Sequence, residues 1–136
     1  MASYSIAEIR AIGPFYAAKL KASGIRSTAK LLDRAKSAKG RKQLAETAGI
    51  PPENILKWAN MADLMRVRGV AADYAELLGQ AGVDTVKELK RRNAANLVRR
   101  MAQVNEAKKL VELVPSEKRV AGWIEAAKTL ELVITY

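Results

Sequence analysis

Apolar residues recur along this chain in short helical periods, closed by glycine or proline and reopened by serine, threonine or asparagine. Ser5-Ile6-Ala7-Glu8 reads as a capping box, with Tyr4 placed to staple onto Ile9. Ala11-Ile12-Gly13 predicts a tight reversal, and Pro14 the first turn of a second helix. That helix carries Tyr16, Ala17 and Leu20 on one face and stops at Gly24, which suits a C-terminal cap. Ser27 opens a helix with Leu31 and Leu32, and further helices are predicted over about 40–48 and, after Pro51-Pro52, about 52–66. Their apolar positions include Leu44, Ala48, Ile55, Trp58 and Met61. Thr85 with Glu88 makes a second capping box ahead of Val86 and Leu89. Asn93 then caps a helix carrying Leu97 and Met101, and Asn105 another carrying Leu110 and Val111. Pro115-Ser116 opens the last helix, with Val120, Trp123, Ile124 and Ala127. Only the tail from Leu130 to Tyr136 is rich in β-formers; it reads as a segment packed on the core or, alternatively, as a self-association surface.

Offset by 58 residues, the chain matches itself without a gap over 9–31 and 67–89. Arg10/Arg68, Tyr16/Tyr74, Ala17/Ala75, Leu20/Leu78, Gly24/Gly82 and Leu31/Leu89 are identical, and several other pairs exchange one aliphatic residue for another. The expected architecture is all-α, with two tandem related units, 1–62 and 63–136, packed into one compact multi-helix domain.

Charge narrows the function classes. The 136 residues carry 24 Lys and Arg against 14 Asp and Glu, a net +10 that favours polyanionic partners. Histidine and cysteine are absent, which removes Ser-His-Asp and Cys-His nucleophile systems, zinc sites built from Cys or His, disulfides and iron–sulfur clusters. No paired acids, glycine-rich nucleotide loop or metal-ligand cluster stands out, so the expectation is a non-enzyme without cofactor or metal. No apolar run approaches the roughly 20 residues of a membrane span, the basic residues do not form one amphipathic helix, and Met1-Ala2-Ser3-Tyr4 lacks signal-peptide features. A cytoplasmic protein without membrane contact is expected.

The two units divide the charge unequally. Window 9–31 holds Arg10, Lys19, Lys21, Arg26 and Lys30 and no acid; window 67–89 holds Arg68 and Lys87 against Asp73, Glu76, Asp84 and Glu88. The densest basic stretch, Lys30, Arg34, Lys36, Lys39, Arg41 and Lys42, reads equally as a solvated face and as a positive rim. A second run, Lys87, Lys90, Arg91 and Arg92 followed by Arg99 and Arg100, carries the same two readings. Trp58 and Trp123 fit helical apolar patterns and read as core anchors in preference to base-stacking platforms. Phe15, at the mouth of the reversal, either stacks on an unpaired base or covers a neighbouring helix, the commoner use.

The run from Ile9 through Ala11-Ile12-Gly13-Pro14, Ala17 and Leu20 to Gly24-Ile25 resembles a helix-hairpin-helix motif. From about residue 6 to 128 the chain resembles an uncharacterised bacterial family of such proteins, the domain of unknown function 4332. The resemblance runs through Gly40-Arg41-Lys42, Gly49-Ile50, Trp58, Asn60, Ala62-Asp63-Leu64-Met65-Arg66, Tyr74-Ala75, Ala81-Gly82-Val83-Asp84-Thr85 and Val104-Asn105. It implies sequence-independent contact with a nucleic-acid backbone, because a glycine hairpin gathers main-chain N–H groups where the helix dipole also favours an anion. Carried to these positions, the donors are the amides of Gly13, Phe15 and Tyr16, with Lys19, Lys21, Arg26, Lys30, Arg41 and Lys42 adding charge. Each hairpin keeps one of the two glycines usual in the motif, Gly13 in the first and Gly69 in the second, and Asp73 stands where a phosphate would approach the second. Phosphate contact is therefore expected at the first hairpin, with an acidic protein partner in place of nucleic acid as the alternative.

Overall fold

Serine and asparagine side chains set most of the helix starts in the computed structural model, which describes residues 3–136; Met1 and Ala2 of the N-terminal stretch read above lie outside them. Ser27, Ser37, Asn93 and Ser116 each accept the amide three residues on, at 3.0–3.2 Å, and open α2 (Thr28–Ala35), α3 (Ala38–Ala48), α7 (Ala94–Lys108) and α8 (Glu117–Lys128). The other helices are α1 (Gly13–Ala22), α4 (Pro52–Leu64), α5 (Ala72–Gln80) and the single turn α6 (Val86–Leu89). Among the described residues the fold is all-helical, apart from an isolated antiparallel bridge between Ser5 and Ser27.

Helix ends 58 residues apart close alike. Gly24 and Gly82 adopt φ +84° and +95°, and the next amides, Ile25 and Val83, both reach back at 2.9 Å, to the carbonyls of Leu20 and Leu78. A tyrosine also seats on a tryptophan twice, Tyr16 on Trp58 and Tyr74 on Trp123, with ring centroids 5.4 Å apart in both. Both tryptophans are buried, as the core-anchor reading expects. One contiguous apolar cluster runs from Ile6 to Ala127, with α2 packed on α3 and α4, α4 on α5, and α7 between α5 and α8.

Four local expectations are corrected. Ser5 caps only a 3₁₀ turn, Ile6–Glu8, by accepting the Ala7 amide, and the segment is anchored by pairing with 26–28: Ile6 N–H donates to Arg26 and Thr28 N–H to Tyr4. Helix α3 begins at Ala38, ahead of the predicted 40, because Ser37 supplies its cap. In the Thr85–Glu88 pair the hydroxyl donates to the carboxylate at 2.9 Å and caps no backbone amide, while the Val86 amide donates to Asp63, also at 2.9 Å. Asn105 opens no helix. Helix α7 runs through it to Lys108 and stops at Lys109, φ +51°, while the Asn105 carboxamide bonds both the N–H and the carbonyl of Val111 at 2.9 Å and pins the following loop.

The β-rich tail forms no strand and packs back against α2, α3 and the residues just after α4. Thr135 N–H donates to the Lys36 carbonyl at 2.8 Å, Arg66 donates to the Glu131 carbonyl at 2.8 Å, and Arg41 to the Thr135 carbonyl at 2.7 Å. The packed-tail reading is the one the structure follows.

Candidate nucleic-acid interface

Helix α1 starts differently from every other helix among the described residues. It has neither a side-chain N-cap nor an acidic residue in its first turn, whereas α2, α3, α7 and α8 have caps and α4, α5 and α6 carry Glu53, Asp73 and Glu88. The unpaired amides and the positive end of the dipole at this terminus thus lack an internal acceptor. Gly13 holds φ +73°, a conformation that disfavours side chains, with open space where a Cβ would project. The backbone is accessible at this point.

Around it lies a groove of about 490 Å³ lined by Ile9, Arg10, Gly13, Pro14, Ala17 and Lys21. Lys21 thus lines the same groove as Gly13, and Arg10 joins it. Arg10 carries no assigned role in the sequence reading; its place just before the reversal is the feature that points to it. Lys19 lies one turn along α1, its ammonium 5.1 Å from the Phe15 ring centroid and beside Gly49 at the end of α3. Phe15 itself is 68% exposed, so it does not cover a neighbouring helix. Tyr16 is half-buried against Trp58, and its site contribution is its amide.

The remaining cations separate. Arg26 is exposed, and its carbonyl accepts from Ile6, a residue of the same groove. Lys30 on α2 and Lys42 on α3 are exposed and line no part of the groove. Arg41 turns inward: it is 7% exposed and donates to the carbonyls of Ala35 and Thr135 at 2.9 and 2.7 Å, beneath the Tyr136 ring. Its guanidinium ties the tail to α2 and is withdrawn from any phosphate. Arg34 likewise donates to the Ser23 carbonyl at the end of α1. The 30–42 stretch is consequently not one continuous rim.

The second hairpin is built otherwise. Its left-handed residue is Gly69, φ +93°, at the first position of the loop, while Ala71 is extended with φ −84°, a conformation open to any side chain. In the first hairpin it is the third position, Gly13, that is left-handed. Asp73 in the first turn of α5 stands 3.8 Å from Arg10, and the two mouths share a cleft of about 350 Å³ with Ala11, Ala72 and Lys109. Both partners are well exposed, so their attraction is largely screened.

Away from the hairpins, burial and the neighbouring Glu88 raise the pKa of Asp84. The Tyr136 hydroxyl is also raised, by burial first and then by Glu88, Asp84 and Asp63, with Arg41 opposing. No group of three or more His, Cys, Asp or Glu side chains arranged to hold a metal occurs among the described residues, nor does a helix long and apolar enough to cross a membrane.

Among the described residues, then, the chain is all-helical, with an uncapped, acid-free helix start beside basic residues. The chain belongs to the family described as a domain of unknown function (DUF4332), whose pattern matches residues 10–130. No curated protein and no solved structure matches it.

Proposed function

We propose that this is a non-catalytic cytoplasmic protein that binds nucleic acid, DNA in the first instance, through the phosphate backbone and with little regard to sequence. The observation that carries the reading is the start of α1, the one helix among those described with neither cap nor acid in its first turn, beside Arg10 and Lys21. Amide donors at a helix N-terminus and flanking lysines engage phosphates without touching base edges. Affinity for unrelated duplexes across a salt series tests it. Log affinity is expected to fall linearly with log salt, and Lys19→Glu with Lys21→Glu to weaken binding to all sequences alike. A flat salt response or an unaffected double variant sinks the reading.

A second reading, a scaffold for an acidic protein partner or for self-association, draws on Leu113, 76% exposed beside the Asp73 cleft, and on Leu132 and Tyr136, 51% and 70% exposed in the tail. Nuclease-resistant capture of a partner by a protein that binds no free nucleic acid favours it.

A further inference from the structure

Phe15 is the chain's one phenylalanine, and it stands 68% exposed in the first turn of α1. It is held rather than loose. Its ring and that of Tyr16 form a T-shaped contact, with centroids 5.2 Å apart and a 66° interplanar angle; Tyr16 rests on Trp58 at 5.4 Å; and Trp58 is 2% exposed. Lys19 sits against the ring at 5.1 Å from its centroid. An aromatic ring is thus presented to solvent beside the uncapped start of α1.

The second unit supplies an internal control. There the equivalent Tyr74–Trp123 pair forms at the same 5.4 Å, yet the residue 58 positions after Phe15 is Asp73. The tyrosine–tryptophan packing therefore does not need a ring at this position. What Phe15 adds is an apolar π-surface directed outward, next to Lys19 and within the basic window.

We propose that the first hairpin takes single-stranded nucleic acid, with one unpaired base stacked on the open part of the Phe15 ring while Lys19 and Lys21 meet the flanking phosphates. The inference rests on the reading that this hairpin meets a nucleic-acid backbone, and it selects the strand state. In a duplex both faces of each base are covered by neighbouring pairs, so an exposed ring gains little there; an unpaired base offers its own face, and stacking of this kind tolerates any sequence. An acidic peptide would use the lysines but leave the ring without a flat partner.

The test compares wild type, Phe15→Ala and Phe15→Trp on one short mixed-sequence oligodeoxynucleotide, single-stranded and annealed to its complement, with 2-aminopurine placed centrally in the single strand. The expected result is a loss of about tenfold in single-strand affinity for Phe15→Ala, within the range of removing one base–aromatic stack, with duplex affinity unchanged. Phe15→Trp retains the affinity, and 2-aminopurine emission changes on binding to wild type but not to Phe15→Ala. Unaltered circular dichroism keeps the comparison one of binding. Duplex binding with no effect of Phe15→Ala on the single strand, or an equal loss on both forms, overturns the stacking inference and leaves backbone binding standing. Absence of binding to either form overturns both.

Discussion

Asp63 caps a helix to which it does not belong: its carboxylate accepts the amide of Val86, 23 residues further along, at 2.9 Å. The other carboxylate oxygen pairs with Arg66 at 2.7 Å, and Arg66 in turn donates to the Glu131 carbonyl, so one buried acid joins the end of α4, the start of α6 and the tail. Both side chains are less than 10% exposed, at 7% for Arg66 and 4% for Asp63. Removing one partner of such a pair leaves an uncompensated buried charge. Asp63→Ala is expected to lower unfolding free energy by about 3 kcal/mol in urea titration. Asp63→Asn, which keeps an acceptor for Val86, is expected to cost less. Equal losses would show that the Val86 hydrogen bond adds little.

Two helical glycines are expected to respond to alanine with opposite signs. An alanine in a helix interior ordinarily gains roughly 0.5–1 kcal/mol over glycine. At Gly122 in α8 nothing lies within 4 Å of a new Cβ, so Gly122→Ala should stabilise by about that amount. At Gly40 the Cβ would overlap the backbone carbonyl oxygen of Arg34, where the end of α2 turns into α3. Backbone cannot swing aside as a side chain can, and overpacking of this kind costs about 1–3 kcal/mol, which outweighs the propensity gain. Thermal unfolding of the two variants checks the sign; a rise in Tm for Gly40→Ala would place the α2–α3 turn in a looser geometry.

Asp84 gives a pH signature. Its folded pKa lies above the ordinary value because burial and then Glu88 disfavour the ionised carboxylate. A raised folded pKa means that the fold is relatively most stable when the group is protonated. That contribution is complete below the unfolded pKa and is lost as pH rises through the folded value. Asp84→Asn is therefore expected to raise Tm at neutral pH, with the gain vanishing in acid. A gain independent of pH would assign the effect to something other than the charge.

The legible part of this molecule was local. Ser27, Asn93 and Ser116 act through the amide three residues on, and Gly24 and Gly82 through positive φ, so their roles follow from neighbouring residues. What could not be read is decided across distance. Thr85 has the right spacing for a cap, but its hydroxyl donates to Glu88 and an acid from α4 meets the first amide of α6; Asn105 looks like a cap and instead grips Val111. The same holds at the site. Arg41 belongs to the densest cationic run, yet only the returning tail reveals that its donors are spent on carbonyls. Nor does the pattern around Phe15 tell an exposed ring from one that covers a helix.

The neighbouring hairpins make one more prediction, which concerns Asp73. Its carboxylate stands 3.8 Å from Arg10, in a cleft shared by both mouths, and so places a negative charge close to the proposed phosphate contact. Because the pair is exposed, breaking it is expected to change stability by under about 1 kcal/mol. Its effect on a polyanion should be larger, since Asp73 both repels a phosphate and competes for the Arg10 guanidinium. Asp73→Asn is expected to strengthen nucleic-acid binding at low salt. If Arg10 then gains a phosphate contact, the slope of log affinity against log salt should steepen by roughly 0.7–0.9, the value for one further contact on single or double strands. Arg10→Ala in the same background should return the slope to its starting value. A stronger affinity with an unchanged slope would mean that Asp73 acts only by repulsion, and no change in either would place the bound strand away from the second hairpin.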